Sequence, residues 1–257
     1  MLIKVVAPLT VVLLSALSWN TPDRSGLAGR GPSQSTIPSQ RYTIRGTRNY
    51  TAVEAEVFYR HLEGGEKVSY PSRVEFNGRL MKNEPLDESK EVEGGCPRDT
   101  SLPVLSMAPE PVGRGVYTFI QKGYRVENKV VVTAEGGVQL EHSINFEPVE
   151  FAQPGEVVLS RSRDILIKLR GRGAARDDAP SVGIRQGEQF IDETAVKYDR
   201  EGGVLRVPAK ALRNLRRGPA DFWITSSDSG LLDSPGWKMT GSYSILYTDR
   251  ICARVID

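Results

Sequence analysis

The sequence predicts an all-β protein made of two immunoglobulin-like β-sandwich domains, with one short helix in the second domain. Apolar and polar residues alternate over residues 53–57, and a period of two is typical of a half-buried strand. Asn77-Gly78 lies between apolar residues, which is a strong hairpin signal. Helix-forming residues dominate only one short segment, residues 209–217.

The remaining strands follow from runs of β-branched, aromatic and alternating apolar residues bounded by turn residues. They are predicted at residues 74–76, 130–133, 138–146, 165–169, 196–198, 204–207, 222–225, 242–247 and 251–256. Pro148, Pro154 and Gly155 interrupt this pattern, so we expect one sandwich over residues 41–150 and a second over residues 151–257. Each half has the roughly 100 residues of an immunoglobulin domain. A single larger sandwich is the alternative.

The N-terminus has the pattern of a secretory signal peptide. One lysine precedes an apolar run from Val5 to Leu17, and Ala16 and Ser18 are the small residues of a cleavage site. The run is shorter than the roughly 20 residues that span a bilayer, so we expect no membrane span after cleavage at residue 18. Residues 19–40 are rich in Ser, Pro and Gly and are predicted to be a flexible leader. The predicted location is secreted, periplasmic or at the cell surface.

The chain has two cysteines, Cys96 and Cys252. In an oxidising compartment an even pair indicates a disulfide, so we expect the two to be joined. A loop of this length gives a stabilisation of roughly 5 kcal/mol in the chain-entropy model. Two separate buried thiols are the alternative.

Composition excludes several classes of protein. The formal net charge is only +2, too balanced for a dedicated nucleic-acid binder. The two histidines do not follow a zinc-ligand spacing, so neither a metal nor a cofactor is predicted. Asp228-Ser229-Gly230 resembles the active-site tripeptide of aspartic proteases, but it occurs once and is better explained as a β-turn. No catalytic residue is predicted.

The candidate ligand-binding residues are one tryptophan and three arginines. Trp237 follows a Ser-Pro-Gly loop, where an aromatic ring is available to a sugar or a protein. Trp223 lies between two apolar residues, so we expect one of its faces in the core. Arg213, Arg216 and Arg217 form one basic stretch, and residues 161–176 form a second. If both stretches lie on one face, they can hold an anionic ligand; if not, they are solvated strand edges.

A resemblance to a known class of proteins rests on turn and core positions in both halves. These are Asn77-Gly78, residues 115–119, residues 130–133, residues 159–164, residues 207–209, Leu212 and Gly218. Together they resemble secreted bacterial proteins of unassigned function built from paired immunoglobulin-like β-sandwiches. The resemblance implies a fold and export, and it carries over no catalytic residue.

These observations favour an exported binding or structural protein without catalytic machinery. Its expected role is adhesion, surface or matrix association, or recognition of a glycan or a surface protein. One alternative is a secreted hydrolase acting on extracellular or cell-wall polymers, whose carboxylate pair is brought together only by the fold. A periplasmic assembly chaperone is a further alternative.

Overall fold

Strands form nearly all of the regular structure in the computed structural model, which describes residues 36–61, 67–84, 115–134, 137, 139–153, 155–171, 180–232 and 240–257. The strands are β1 (Thr36–Gly46), β2 (Tyr50–His61), β3 (Lys67–Ser69), β4 (Arg73–Phe76), β5 (Arg79–Leu80), β6 (Val116–Lys122), β7 (Glu127–Thr133), β8 (Gln139–Asn145), β9 (Glu150–Phe151), β10 (Val157–Ser160), β11 (Ile165–Arg170), β12 (Ser181–Gln186), β13 (Gln189–Ile191), β14 (Lys197–Asp199), β15 (Val204–Val207), β16 (Gly218–Leu232) and β17 (Thr240–Ile256). Two short 3-10 helices lie at Glu193–Ala195 and Ala209–Leu212.

The strands form one large sheet and two small ones. The large sheet has nine strands in the order β13-β12-β16-β17-β1-β2-β3, with β10 also beside β17 and β6 also beside β2. The small sheets are β14-β15-β11-β9 and β5-β4-β7-β8. Each small sheet shares a cluster of buried apolar residues with the large sheet, so each packs against it as a sandwich.

The second sandwich has immunoglobulin topology. The order β14-β15-β11-β9 corresponds to strands D, E, B and A of an immunoglobulin domain, and β13-β12-β16-β17 corresponds to C′, C, F and G. The predicted all-β, immunoglobulin-like sandwich fold is therefore confirmed. The boundary at residues 150/151 stays a prediction, and the described residues, from Thr36 to Asp257, fall within one compact unit.

Local sequence accounts for most of these elements. Asn77 and Gly78 both have positive φ, 51° and 75°, and join β4 to β5 in the tight hairpin that the Asn-Gly pair predicts.

The helix predicted over 209–217 is shorter than expected. It is a 3-10 helix that ends at Leu212, and the backbone N–H of Arg216 donates to Gln186 instead of continuing the helix.

The two longest strands, β16 and β17, contribute to both sandwiches. Ile224 and Ile251 belong to the core of the second sandwich, whereas Leu232 and Ile245 belong to the core of the first. All four point to the same side of the large sheet. The opposite side of β16 and β17, here called the outer face, therefore runs without interruption past both cores.

A buried ion pair lies where the chain crosses from the first sandwich to the second. Asp249 is the inward residue of β17 between the two cores, and its side chain is 1% exposed. Arg48 donates from Nη2 to Asp249 Oδ2 at 2.6 Å and to the Phe151 carbonyl at 2.5 Å. The Phe151 N–H donates to the same carboxylate oxygen at 2.7 Å. Burial raises the pKa of Asp249, against the opposing effects of Arg48 and the Phe151 N–H.

Other polar groups near Asp249 hold the rest of the segment that passes from the first sandwich to the second, residues 149–151. The Val149 N–H donates to Ser226 Oγ at 3.2 Å. Tyr247 donates its hydroxyl to Glu150 Oε1, and Arg170 donates to Glu150 Oε2 from Nε at 2.7 Å. The segment is thus fixed to β16 and β17 by side chains that lie between the two hydrophobic cores.

Removing the buried carboxylate should destabilise the whole protein. In Asp249→Ala the Arg48 guanidinium loses its charged partner and the Phe151 N–H loses its acceptor, and we expect the free energy of unfolding to fall by about 3–5 kcal/mol. Chemical denaturation followed by circular dichroism measures this change.

The matched control is Glu141→Ala, which removes the exposed Lys129–Glu141 ion pair with its 2.6 Å contact. That change should cost less than about 1 kcal/mol. Equal losses in the two variants would show that the Asp249 pair has no special role in stability.

Candidate functional site

Two aromatic rings stack on the outer face of the second sandwich. Phe190 of β13 lies over Trp223 of β16, with ring centroids 5.7 Å apart and an interplanar angle of 18°. The Trp223 ring lies directly against Gly183 of the neighbouring strand β12, where any Cβ would collide with it. Phe190 is 58% exposed. We call these two rings the aromatic platform.

The expectation that one face of Trp223 lies in the core is wrong. Phe222 and Ile224, its neighbours in β16, are fully buried in the core, so strand alternation turns Trp223 to the opposite face. The period of two within 222–225 was the signal that could have placed it. Phe190 was missed as a site residue because β13 is too short for its phase to be read from the sequence.

A buried ion pair and a row of exposed side chains border the platform. Arg250 lies opposite Trp223 in the sheet register and binds both carboxylate oxygens of Asp221, at 2.5 and 3.2 Å. The exposed apolar residues farther along the outer face are Leu246 and Leu231, and the hydroxyl residues between them and the platform are Thr225, Thr248 and Ser227. This face therefore combines stacked aromatic rings, one arginine and separate apolar side chains.

The three predicted arginines lie together at the far end of the same sandwich. Arg213 follows the 3-10 helix and is exposed. The side-chain amide of Gln186 accepts from the Arg216 N–H at 2.7 Å and donates to the Arg216 carbonyl at 2.9 Å. The Arg217 guanidinium pairs with Asp257. The structure thus places these residues in one ordered loop that is separate from the aromatic platform.

Two of the predicted site residues lie outside the described residues: Trp237 and Cys96. Cys252 lies in β17 beside Asp221 in the sheet register and is not a free cysteine. A disulfide between Cys96 and Cys252 stays a prediction. The binding roles of Trp237 and of the three arginines also stay predictions.

Asp228-Ser229-Gly230 is not a turn, as the sequence predicts, but part of the long strand β16. Asp228 accepts a hydrogen bond from the Tyr243 hydroxyl at 3.0 Å, and the Ser229 N–H donates to its other carboxylate oxygen at 2.9 Å. The turn interpretation fails because β17 pairs with β16 along its whole length. Sheet pairing of this kind is not visible in a tripeptide.

The carboxylates that the fold brings together serve structural contacts. Glu150 raises the pKa of Asp249 through its charge, as a smaller effect than burial, so the two groups are close enough to interact. Each is already held by its own arginine, Glu150 by Arg170 and Asp249 by Arg48.

Within the described ranges no group of three or more His, Cys, Asp or Glu side chains is arranged to hold a metal ion. No helix in the same part of the chain is long and apolar enough to cross a membrane.

His142 is a core residue of the first sandwich. It is 3% exposed, and its ring centroid lies 6.0 Å from that of Tyr42. Its Nε2 atom has no hydrogen-bond partner in the part of the chain that the structure describes. Burial lowers the pKa of His142 below its ordinary value, because a charged imidazole would be desolvated there.

Comparison with known proteins gives little further information. No protein-family model matches the chain, and no curated protein matches it. A solved structure of the titin domains Z1Z2 in complex with telethonin is 10% identical over 88% of this chain and 100% of that chain, with a TM-score of 0.21. A structure of Dpr2 Ig1–Ig2 in complex with DIP-Theta Ig1–Ig3 is 10% identical over 86% of this chain and 99% of that chain, with a TM-score of 0.25. At these TM-scores the fold assignment rests on strand order alone.

His142 should make the protein less stable in mild acid. Its pKa is lower in the folded than in the unfolded chain, so the unfolded state takes up a proton that the folded state does not. The free energy of unfolding should therefore fall as the pH drops below about 6.5, the ordinary histidine pKa. In His142→Gln this part of the pH dependence should disappear. Urea denaturation of both proteins from pH 7.5 to 5 measures this pH dependence. If the difference in unfolding free energy between the wild type and the variant is the same at every pH in that range, the prediction is wrong.

Proposed function

We propose that this protein is an exported, non-catalytic binding protein that recognises a surface or matrix protein through the outer face of its second sandwich. The observation that carries the proposal is the aromatic platform, in which an exposed Phe190 stacks on a half-buried Trp223. Aromatic residues and arginine are the residue types that contribute most to protein interfaces. Contiguous exposed apolar groups on a protein surface indicate interaction sites.

The platform is held in position before any partner arrives. Gly183 leaves the space beside β12 that the Trp223 ring occupies, and Phe190 stacks on that ring. Two rings fixed in this way lose little conformational freedom on binding, which favours affinity. The bidentate ion pair to Asp221 also fixes the orientation of Arg250.

A protein partner fits this face better than a glycan. Beyond the platform the outer face also exposes Leu246 and Leu231, separated from it by hydroxyl residues, so apolar contacts are offered along the sheet and not at one ring alone. Several apolar contacts surrounded by polar groups are typical of protein interfaces. Export itself rests on the N-terminal sequence, and the resemblance to secreted bacterial two-sandwich proteins supports it.

Photo-crosslinking tests the proposal. A photoreactive amino acid replaces Ser181 on the outer face, or Leu166 on the opposite small sheet, and the exported protein is irradiated with its producing cells. We expect discrete protein adducts from position 181 that are lost in Phe190→Ala and Trp223→Ala and are absent from position 166. Gly183→Val should also lose them, because it displaces Trp223 while keeping both rings.

Leu166→Ala is the matched control, because Leu166 is 69% exposed but lies on β11 of the other sheet. This variant should keep every adduct. Adducts that survive all three outer-face variants would overturn the proposal. Glycan-array binding that depends on the platform, without any protein adduct, would replace the protein partner by a glycan.

A further inference from the structure

The beginning of one basic stretch of the sequence, Arg161 and Arg163, lies at the same end of the second sandwich as the other stretch, residues 210–217. Arg161 follows β10 and Arg217 follows the 3-10 helix, far apart in the chain. Both reach Asp257, Arg161 at 3.6 Å and Arg217 in direct contact. We call this end the basic pole and define it by Arg161, Arg163, Lys210, Arg213, Arg216 and Arg217.

Hydrogen bonds hold the two loops of the basic pole in place. Asp164 accepts the Ala209 N–H at 2.9 Å and binds Arg206 through Nε and Nη2 at 2.9 and 2.6 Å. The hydrogen bond from the Ala209 N–H lowers the pKa of Asp164 most, and the hydrogen bond from Arg206 lowers it further. Gln186 holds the Arg216 backbone and also donates to the Pro219 carbonyl at 3.1 Å. The cations therefore project from a fixed backbone.

Four of the six cations at the basic pole have no carboxylate within ion-pair distance among the described residues. The only carboxylates that bind its loops within the described ranges are Asp164 and Asp257. The four cations that make no ion pair with a described residue are Arg163, Lys210, Arg213 and Arg216, and all four are exposed. Such a group of like charges attracts a multivalent anion.

The chemistry of the loops narrows the choice of anion. Leu212 and Leu215, the large apolar residues of the loop, are buried in the core, so the loop presents no apolar side chain for insertion into a bilayer. The loops also present no aromatic ring on which a nucleic-acid base could stack. Five of the six cations are arginines, whose planar guanidinium binds two oxygens at once of a carboxylate or of a tetrahedral oxyanion such as phosphate.

We propose that the basic pole binds an anionic polysaccharide, through its carboxylate or sulfate groups. The site is separate from the aromatic platform, so the protein has one surface for a protein partner and another for an acidic glycan. The two proposals stand on different residues and fail independently.

The test measures binding of two probes, heparin and polygalacturonate, to immobilised protein over a range of salt concentrations. The wild type should bind both, and neutral dextran should not bind. In the double variant Arg213→Glu/Arg216→Glu we expect at least about tenfold weaker binding, with the slope of log Kd against log salt reduced by about two. Phe190→Ala should bind as the wild type does, which separates this site from the platform.

The matched control is Arg79→Glu/Lys122→Glu, which makes the same change in net charge at two exposed positions of the first sandwich. It should change the Kd less than about twofold, because those positions lie far along the sheet from the basic pole. Three outcomes would overturn the proposal: an equal loss in the control, binding of phosphatidylserine vesicles but of neither polysaccharide, or tighter binding of single-stranded DNA than of both polysaccharides.

Discussion

The structure depends on one buried carboxylate, Asp249, at the point where two hydrophobic cores meet. An isolated charge at that depth would be strongly unfavourable, and two hydrogen-bond donors offset it. The Arg48 guanidinium comes from the turn after β1, and the Phe151 N–H comes from the segment that enters the second sandwich. Because Asp249 satisfies both, β17 continues through the junction without a break, and so does β16 beside it.

The continuity of these two strands positions everything else. Their inward residues complete both cores, and their outward residues form one uninterrupted face. The aromatic platform lies on that face because β12 contributes Gly183 beside Trp223. The basic pole lies where β17 ends, because Arg161 and Arg217 both gather around Asp257. Both proposed binding surfaces are therefore consequences of one long hairpin.

The sequence predicted the parts of the fold that depend on neighbouring residues. Alternation placed Val53, Ala55 and Val57 in the core, and the Asn77-Gly78 pair gave its hairpin. It did not predict that β17 is a single strand, because Asp249 and Arg250 look like a polar interruption between 242–247 and 251–256. Arg48, which makes the inward Asp249 acceptable, is 201 residues away in the chain. A partner at such a distance leaves no local signal.

The candidate surfaces show the same contrast between features that neighbouring residues determine and features that depend on residues far apart in the chain. The three arginines were predicted from their clustering in the chain, but their meeting with Arg161 depends on the return of β17 to the end of β10. The exposure of Trp223 followed from strand phase and was misjudged from its apolar neighbours. Phe190 becomes a site residue only through its stacking on Trp223, which is a contact between strands.

Differential scanning calorimetry of the exported protein tests the central claim that the hairpin and Asp249 make the two sandwiches one cooperative unit. We expect a single unfolding transition, with a calorimetric enthalpy equal to the van't Hoff enthalpy. Two resolved transitions, or a van't Hoff enthalpy about half the calorimetric one, would show that the sandwiches unfold independently and would contradict it.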